Sequence, residues 1–349
     1  MRARGTHDNI GHRFEPIRIE ATEDNHWHQD PEPDRIATEA RELRAREIIS
    51  TNDSPDVPFR QSINPYQGCE HGCIYCFARP SHAWQELSPG LDFETRITVK
   101  TNAAERLRAT LDRPGYRVEP IALGVNTDAY QPLEKRYRIT REILQVLLEY
   151  RHPVFIITKS ALILRDLDLL SELARRRLCS VRVSLTSLDT RLKGQLEPRA
   201  SGPAARLKII RELAAAGVPV GTIIAPVIPF INDHELEDML CAAAAHGARQ
   251  ASWILLRLPY EVAPLFRDWL ERYYPDRADH VMNRVRDLRG GKANDSRWGK
   301  RMTGEGPLAD LYRQRFRRQC RALGLNSEDT ESLDSGQFRR PGGEQMGLF

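Results

Sequence analysis

The sequence has no run of about 18 consecutive apolar residues, the length that a membrane-spanning helix needs. Its start, MRARGTHDNIGHRF, also lacks the apolar core that a secretory signal requires. We therefore expect a cytoplasmic protein, in which thiols stay reduced. The chain has only six cysteines, and those that cluster are better explained as metal ligands or catalysts than as disulfide partners.

The composition is that of an ordinary soluble domain. Of the 349 residues, 40% are hydrophobic and 29% are charged. The length allows one large domain or two ordinary ones. The net charge is +4, but residues 284–321 hold 12 Lys/Arg against 4 Asp/Glu. This excess is typical either of a surface that binds a polyanion or of a solvated arginine-rich helix face, and the sequence leaves both open.

Short apolar runs rich in β-branched residues alternate with helical segments from about residue 60 to about residue 258. The pattern predicts strands at 96–100, 120–125, 154–159, 180–185, 220–228 and 252–258. It predicts helices at 36–49, 137–150, 166–177, 203–217 and 233–247. Such alternation indicates parallel strands with right-handed crossovers, in a doubly wound sheet or a whole or partial barrel. In either architecture the binding loops lie at the carboxyl ends of the strands.

One cysteine cluster lacks a fourth member. Cys69, Cys73 and Cys76 stand in "QGCEHGCIYCF" with C-x3-C-x2-C spacing, after an extended stretch and before a predicted helix. A structural zinc site closes with four ligands, and recruiting His71 would place all four within eight residues. An iron–sulfur cluster fits three thiolates better, because one iron then stays open to another ligand. Cys179, Cys241 and Cys320 are scattered, and Cys179 and Cys241 are expected to be small buried residues.

At these residues the sequence resembles the radical S-adenosylmethionine (SAM) superfamily, with Tyr75 as the aromatic residue before the last cysteine. Within it, the chain is similar to the spore photoproduct lyase-like subgroup over roughly residues 60–260. The segments that carry this similarity are NTDAYQPLE (126–134), FIITKS (155–160), VRVSLTS (181–187), LEPRA (196–200) and GTIIAPVIP (221–229).

The resemblance implies a radical SAM enzyme with an α/β fold, a partial (β/α)6-type TIM-like barrel with a helical C-terminal extension. Cys69, Cys73 and Cys76 would hold a [4Fe-4S] cluster, and SAM would occupy its open iron. An electron donor such as a flavodoxin or ferredoxin would reduce the cluster. SAM would then be cleaved to methionine and a 5′-deoxyadenosyl radical that abstracts a substrate hydrogen, while the protein orients the cofactor and excludes water.

The resemblance also implies six residues that contact SAM, namely Tyr75, Phe77, Thr127, Lys159, Ser184 and Ala225. Lys159 would pair with the SAM carboxylate. Simpler explanations remain for two of them, since Ser184 could be an ordinary strand hydroxyl and Ala225 could stand at a strand end. Asp128 and Glu134 could cap helices or belong to the site, and Glu197 is a candidate for a polar contact in the pocket.

One position departs from the lyase pattern. Where the lyase has a cysteine that returns a hydrogen atom to the repaired base, this chain has Val125. Valine has no S–H bond to donate, so photoproduct repair is not expected to proceed in the same way. Tyr66 and Tyr130 are conceivable replacement donors, although aromatic residues near a pocket more often serve packing.

We expect an N-terminal arm (1–58) that is largely disordered with a short helix, a core (59–260), a basic helical cap (261–325) and a disordered tail (326–349). Trp298 and Tyr312 interleave with arginines, which suits either base stacking or a helical cap over the barrel edge. Nucleic acid is therefore a candidate substrate or partner. The alternatives are a radical SAM enzyme acting on a peptide or small molecule, and a non-enzymatic zinc or iron–sulfur binding module.

Overall fold

The computed structural model describes residues 4–15, 36–327 and 332–341. Its strands are β1 (Glu39–Leu43), β2 (Ile49–Thr51), β3 (Gln61–Ile63), β4 (Tyr66–Gln67), β5 (Arg96–Lys100), β6 (Ile121–Leu123), β7 (Val154–Thr158), β8 (Cys179–Leu185), β9 (Val220–Val227) and β10 (Gln250–Leu255). The predicted strands after residue 119 and the predicted helices after residue 136 are all present, with ends shifted by a few residues.

The helices are α1 (Asp92–Thr95), α2 (Ala103–Leu111), α3 (Glu134–Tyr137), α4 (Ile139–Glu149), α5 (Leu167–Arg175), α6 (Thr190–Leu196), α7 (Pro203–Ala215), α8 (Leu236–Ala245), α9 (Val262–Tyr273), α10 (Ala278–Asp287) and α11 (Pro307–Ala322). A 3-10 helix spans Arg79–Gln85. Within the described residues, no helix combines the length and apolarity needed to cross a bilayer.

The main sheet has the strand order β10-β9-β8-β7-β6-β3-β2. Strands β3, β6, β7, β8, β9 and β10 run parallel, and β2 pairs antiparallel with β3 at one edge. Among the described residues β10 and β2 do not pair, so the sheet stays open. Six parallel strands alternating with helices form the partial (β/α)6 barrel, and the prediction of the fold is confirmed.

Alternate residues of the central strands face the helices. Val154 and Ile156 of β7 pack in one core with Ile143 and Leu147 of α4 and with Leu170 of α5. The intervening residues face the inside of the curved sheet. Because both faces are covered or enclosed, these strands tolerate the near-continuous apolar runs seen in the sequence.

A small second sheet has the strand order β1-β5-β4 and differs from the sequence prediction in two ways. The predicted strand 96–100 exists but pairs with β1 and β4 rather than joining the barrel. The predicted helix at 36–49 is wrong, because residues 39–43 and 49–51 form strands instead. Strand β1 pairs with the full length of β5, so sheet pairing overrides the helix propensity of its Glu, Ala, Arg and Leu residues.

Part of the predicted N-terminal arm is packed. The Arg4 guanidinium donates to the Glu94 carbonyl at 2.6 Å, and the Gly5 backbone N–H donates to a Glu94 carboxylate oxygen at 2.8 Å. The prediction of disorder therefore fails for residues 4–15, whose polar groups find buried partners that the sequence does not reveal. Residues 1–3 and 16–35 lie outside the described residues.

The C-terminal helices lie on the barrel. Helices α9 and α10 share a core with Ile228 and Leu256, at the carboxyl ends of β9 and β10. Helix α11 packs on α8 and on Trp253 of β10. In the predicted disordered tail, Phe338 contacts the His152 ring with centroids 5.8 Å apart, so the prediction fails there too. Residues 328–331 and 342–349 lie outside the described part of the chain.

Candidate functional site

The three clustered cysteines lie in the loop between β4 and the 3-10 helix Arg79–Gln85. Gly68 begins the loop with φ of +84°, and a Cβ there would lie 2.8 Å from His82 and Ile97 side-chain atoms. Glycine is therefore the residue that allows the chain to turn out of β4 at this close approach. The loop lies where the binding face was expected, beside the carboxyl ends of the barrel strands.

Backbone hydrogen bonds from three directions hold this loop. The Cys69 N–H donates to the Phe93 carbonyl at 2.9 Å, and the Ile74 N–H donates to the Leu196 carbonyl at 3.1 Å. The Gln131 side chain accepts from the Glu70 N–H at 3.0 Å and donates to the Gly68 carbonyl at 3.1 Å. Since each anchor belongs to a different part of the barrel, the cysteine positions are fixed by the whole fold rather than by the loop alone.

A fully buried ion pair supports the loop from behind. Arg79 donates to the Cys73 carbonyl at 3.0 Å and to the Glu94 carboxylate at 2.6 Å. Glu94 also accepts from the N–H groups of Gly5 and Thr6. Sequence reasoning missed Arg79 and Glu94, because a charged residue in a surface-like pattern gives no sign that it will be buried.

The three thiols line one pocket. They share it with residues 124–128 after β6 and residues 157–159 at the end of β7, including Val125, Thr127 and Lys159. Cys69 and Cys73 are buried and Cys76 is half-buried. Burial raises the pKa of the Cys69 thiol well above its usual value and that of the Cys73 thiol to about 12.

Three ionisable side chains, those of His71, Asp128 and Lys159, adjoin the thiols. One Asp128 carboxylate oxygen accepts from the backbone N–H of Lys159 at 2.7 Å and lies 3.4 Å from His71 Nδ1. Burial lowers the pKa of His71, so its ring is neutral near pH 7. Burial also acts to lower the pKa of Lys159, but the charges of Cys73, Glu197 and Asp128 outweigh it and the pKa is raised. The ammonium group therefore stays charged beside the cysteines.

A buried network lies under the cysteine loop. Glu197 accepts hydrogen bonds from the Tyr75 hydroxyl, the Thr186 hydroxyl and the Arg206 guanidinium. Burial acts to raise the pKa of Glu197, but Arg206 and Lys159 together hold it at about 2. Sequence reasoning flagged Glu197 and missed Arg206, a fully buried arginine on the otherwise amphipathic helix α7.

The structure places the predicted SAM contacts in two groups. Phe77, Thr127 and Lys159 line the cysteine pocket. Tyr75, Ser184 and Ala225 meet around the network instead, since the Ser184 carbonyl accepts from Arg206 and the Ala225 carbonyl accepts from Thr186. Their roles as SAM contacts stay predictions.

The remaining candidates fall outside the pocket lining. Tyr66 donates to Glu134 at 2.5 Å, and Tyr130 is buried in the main core. Glu134 also accepts from the Thr140 N–H in the first turn of α4, so it acts as a helix cap, whereas Asp128 faces the pocket. The expectation that Cys241 is buried is wrong, because its thiol lies on the exposed face of α8.

Half of the 12 basic side chains of the segment 284–321 are paired with a carboxylate. Arg297 pairs with Asp295, Arg301 with Asp56, and Arg315 with Glu237. Tyr312 is buried and donates to Asp233 at 2.6 Å, so the stacking role considered for it is wrong; Trp298 remains 59% exposed. These contacts are those of a helical cap on the barrel.

Aromatic rings and arginines also meet along the segment that follows the cysteines, residues 77–85. The Arg13 guanidinium lies 4.5 Å from the Tyr260 ring centroid and 5.9 Å from that of Trp84, and these rings are 70% and 74% exposed. Arg257 lies 5.5 Å from the Phe77 ring, which belongs to the pocket lining. We call Arg13, Trp84, Tyr260, Phe77 and Arg257 the aromatic rim.

The donor chemistry of the pocket suits an iron–sulfur cluster. Thiolates are the usual protein ligands of such clusters, and the pocket supplies three of them beside a charged lysine. Among the residues that the structure describes, no three His, Cys, Asp or Glu side chains surround a position for a single metal ion.

Comparisons with known proteins show which family this chain resembles. The sequence model of the Radical SAM superfamily matches residues 63–241. An uncharacterized protein of Mycobacterium tuberculosis (strain ATCC 25618 / H37Rv) is 40% identical over 234 residues, which cover 66% of this chain and 68% of that protein. An uncharacterized protein of Methanocaldococcus jannaschii is 26% identical over 245 residues, covering 70% of this chain and 86% of that protein.

Among solved structures, a spore photoproduct lyase complexed with dinucleoside spore photoproduct superposes with a TM-score of 0.60. The alignment covers 82% of this chain and 80% of the lyase at 16% sequence identity. A lyase variant with bound AdoMet and dinucleoside spore photoproduct gives a TM-score of 0.59. At this identity the likeness shows a shared fold.

Proposed function

The chain belongs to the radical SAM superfamily, and on this premise we propose that it cleaves SAM reductively to generate a 5′-deoxyadenosyl radical. One observation carries the proposal: Cys69, Cys73 and Cys76 line a single pocket with Lys159 at the carboxyl end of β7. The three thiolates would hold a [4Fe-4S] cluster. When bound, that cluster supplies the electron that cleaves SAM.

The chain's own residues bind and orient the cofactor. Lys159 keeps its charge and pairs with the SAM carboxylate, while Phe77 and Tyr75 flank the adenine. Thr127, whose hydroxyl donates to the Tyr66 carbonyl at 3.2 Å, faces the methionyl or ribose end. Ser184 and Ala225 line the nucleoside site. The packed loop and barrel wall exclude water from the radical, which would otherwise react unproductively.

Anaerobic purification with iron and sulfide analysis tests the proposal. Reduction with an electron donor such as a flavodoxin or ferredoxin in the presence of SAM should yield 5′-deoxyadenosine. Cys73→Ala should lower the iron content below that of the wild type and abolish the formation of 5′-deoxyadenosine. Cys241→Ala is the matched control, because this thiol is exposed and outside the pocket, and it should behave like the wild type. A colourless, zinc-loaded protein would overturn the proposal.

In our proposal the hydrogen abstracted by the radical is returned neither by a protein thiol nor by the hydroxyl of Tyr66 or Tyr130. Val125 lines the pocket at the position where a lyase-like cysteine would stand, and the other cysteines lie elsewhere. Tyr66 and Tyr130 do not line this pocket. A substrate reaction that persists in the Tyr66→Phe and Tyr130→Phe variants supports this view, whereas loss of product with intact 5′-deoxyadenosine formation would contradict it.

We further propose that the substrate is a nucleic acid or a nucleotide-bearing molecule, rather than a peptide. The observation that favours it is the aromatic rim, where exposed rings suit base stacking. Arg257, which has no carboxylate ion-pair partner among the described residues, suits a phosphate. We favour this interface over the basic segment 284–321, in which half of the 12 basic side chains are paired with carboxylates and Tyr312 is buried.

Binding of a single-stranded oligonucleotide, measured by fluorescence anisotropy, tests the substrate class. Trp84→Ala and Tyr260→Ala should each weaken binding by roughly 1–3 kcal/mol, the usual value of one base–aromatic stack. Arg317→Gln is the matched control on the exposed face of α11 and should change binding little. Binding should fall steeply with salt. If no oligonucleotide binds, a peptide or small molecule is the better candidate.

A further inference from the structure

A second cavity lies at the opposite edge of the sheet from the cysteines. Its volume is about 600 Å³, and its lining includes Ser180 and Arg182 of β8, Val220 of β9, and Arg249 and Gln250 at the start of β10. These residues stand at or near the amino ends of parallel strands, whereas the cysteine pocket lies at their carboxyl ends. The two cavities share no lining residue.

Register places the polar residues of this cavity in one row. Arg182 pairs with Gly221, and Gly221 pairs with Gln250 across the next strand boundary. A Cβ on Gly221 would lie 3.0 Å from Arg182 Cδ and Nε and 2.5 Å from the Gln250 carbonyl oxygen. The missing side chain therefore lets the arginine lie across β9 towards β10. Any larger residue would displace it.

Arg182 has no anionic partner in the part of the chain that the structure describes. Its guanidinium donates to one backbone carbonyl, that of Val181 at 3.2 Å, and its carbon lies 5.4 Å from the Phe155 ring. A guanidinium carries five N–H donors, so most of those of Arg182 have no acceptor among the described residues. Burial lowers the pKa of Arg182 to about 10, and no carboxylate counteracts this shift.

The other polar groups in the row are free as well. Within the described residues, neither the Ser180 hydroxyl nor the Gln250 side-chain amide makes a hydrogen bond to the protein. Helices α7 and α8 end near this cavity, and the carbonyls of Ala214 and Ala244 in their last turns already accept from the N–H groups of Gly217 and Gly247, each at 3.0 Å. A guanidinium, a hydroxyl and an amide, all half-buried, thus line the cavity without protein acceptors among the described residues and are available to a ligand.

We propose that this cavity is a binding site for a small oxyanion group, a phosphate or carboxylate carried by an organic molecule. Arg182 supplies the charge and a planar donor fork that matches either group. Ser180 on β8 and Gln250 on β10 donate hydrogen bonds to the same oxyanion. Arg249 adds a second positive charge at the exposed mouth of the cavity. The site is separate from the radical chemistry and does not rest on the proposed function.

Isothermal titration of the anaerobically reconstituted holoenzyme with inorganic pyrophosphate, and separately with citrate, tests the site. Saturating SAM fills the cysteine pocket, and sodium chloride keeps the ionic strength equal. The two probes distinguish a phosphate-bearing from a carboxylate-bearing ligand. Wild type should bind at least one of them, and Arg182→Met should weaken that binding at least about tenfold.

Two further variants keep the test decisive. Arg318→Gln removes the same charge from an exposed position on α11 and should bind as the wild type does. Gln250→Ala should weaken binding severalfold and serves if Arg182→Met does not fold. In chloride alone, Arg182→Met should melt at the same temperature as the wild type or higher, since it removes a half-buried charge that has no carboxylate partner among the described residues. Absence of binding by the wild type, or equal binding by Arg182→Met, would overturn the proposal.

Discussion

Glu197 shows how single buried residues hold the candidate site together. It neutralises Arg206 and binds the hydroxyl of Tyr75, the residue between Cys73 and Cys76. Glu197→Gln would leave Arg206 buried without a countercharge. We expect a loss of about 3–5 kcal/mol in the free energy of unfolding, the usual cost of breaking a buried pair from one side. Chemical denaturation monitored by circular dichroism measures it.

Glu271→Gln is the matched control, because Glu271 pairs with Arg267 four residues earlier on the exposed side of α9. Solvent screens such a pair, so its loss should have little effect. Similar losses in the two variants would contradict the role assigned to Glu197. A shift in the SAM affinity of Glu197→Gln beyond its effect on stability would identify it as a positioning residue for Tyr75.

His152 gives the protein a pH-dependent stability that is independent of the cysteines. The ring is fully buried, and burial lowers its pKa to about 4 from an ordinary value near 6.5. Above pH 6.5 the ring is neutral in both the folded and unfolded states. As the pH falls towards 4, the His152 ring binds a proton in the unfolded state but stays neutral in the folded state. Stability should therefore fall by up to about 3 kcal/mol.

His152→Gln removes this titration and should flatten the pH dependence between 6.5 and 4, even if its stability at pH 7 is lower. Urea denaturation at several pH values compares the two slopes. His71 and His82 have lowered pKa values too, so the difference between the variants, not the absolute slope, carries the result. Identical slopes would show that His152 is protonated in the folded state.

Residue-scale prediction from the sequence succeeded where spacing defines the chemistry. Three cysteines within eight residues indicated one site, and the structure brings them to one pocket with Lys159. It failed for Arg79, Glu94 and Arg206, which are fully buried. Their charged partners lie 9 to 15 residues away in the sequence, and the segments that cover them lie further along the chain. A single sequence does not show which of these residues meet in the folded protein.

At the scale of elements, the N-terminal segment of residues 4–15 packs against the cysteine loop, where Gly5 meets Gly72. A Cβ on Gly5 would lie 1.7 Å from the Gly72 carbonyl oxygen, so Gly5→Ala must displace this segment. Glu94 would then lose the N–H groups of Gly5 and Thr6. We expect faster hydrogen exchange in residues 4–15 and in the cysteine loop, and a stability loss of about 1–3 kcal/mol.

Gly11→Ala tests the same segment without the clash. Its Cβ would meet only the end of the flexible Glu15 side chain, at 2.9 Å, which can move aside. Hydrogen exchange measured by mass spectrometry should match the wild type for Gly11→Ala and not for Gly5→Ala. Equal exchange in both variants would mean that the segment is not coupled to the loop.

Periodicity predicted the barrel elements well because each strand and helix buries a regular face. Helix α4, with Ile143, Leu144 and Leu147 in the core, is an example. The error at 36–49 has a different origin. Strand β1 is largely exposed and is defined by its pairing with β5, which depends on residues more than fifty positions later. Local patterns do not contain that information.

At the scale of the whole molecule, helix α11 completes one flank of the open barrel. Phe316 is 8% exposed, and its ring lies 6.3 Å from that of Trp253 on β10, the strand at the barrel's edge. Tyr312 packs on the same tryptophan and bonds to Asp233. The helix therefore belongs to the same core as β10 and α8, and we expect it to unfold together with the barrel.

Phe316→Ala should lower the free energy of unfolding of the whole chain by about 3–5 kcal/mol, because it leaves a cavity against Trp253. Leu311→Ala, on the exposed side of the same helix, should change it by less than about 0.5 kcal/mol. Tryptophan fluorescence and circular dichroism should report one coincident transition in both variants. A separate early transition in Phe316→Ala, with the barrel transition unmoved, would instead make α11 an independent module and return its exposed arginines to consideration as a docking surface.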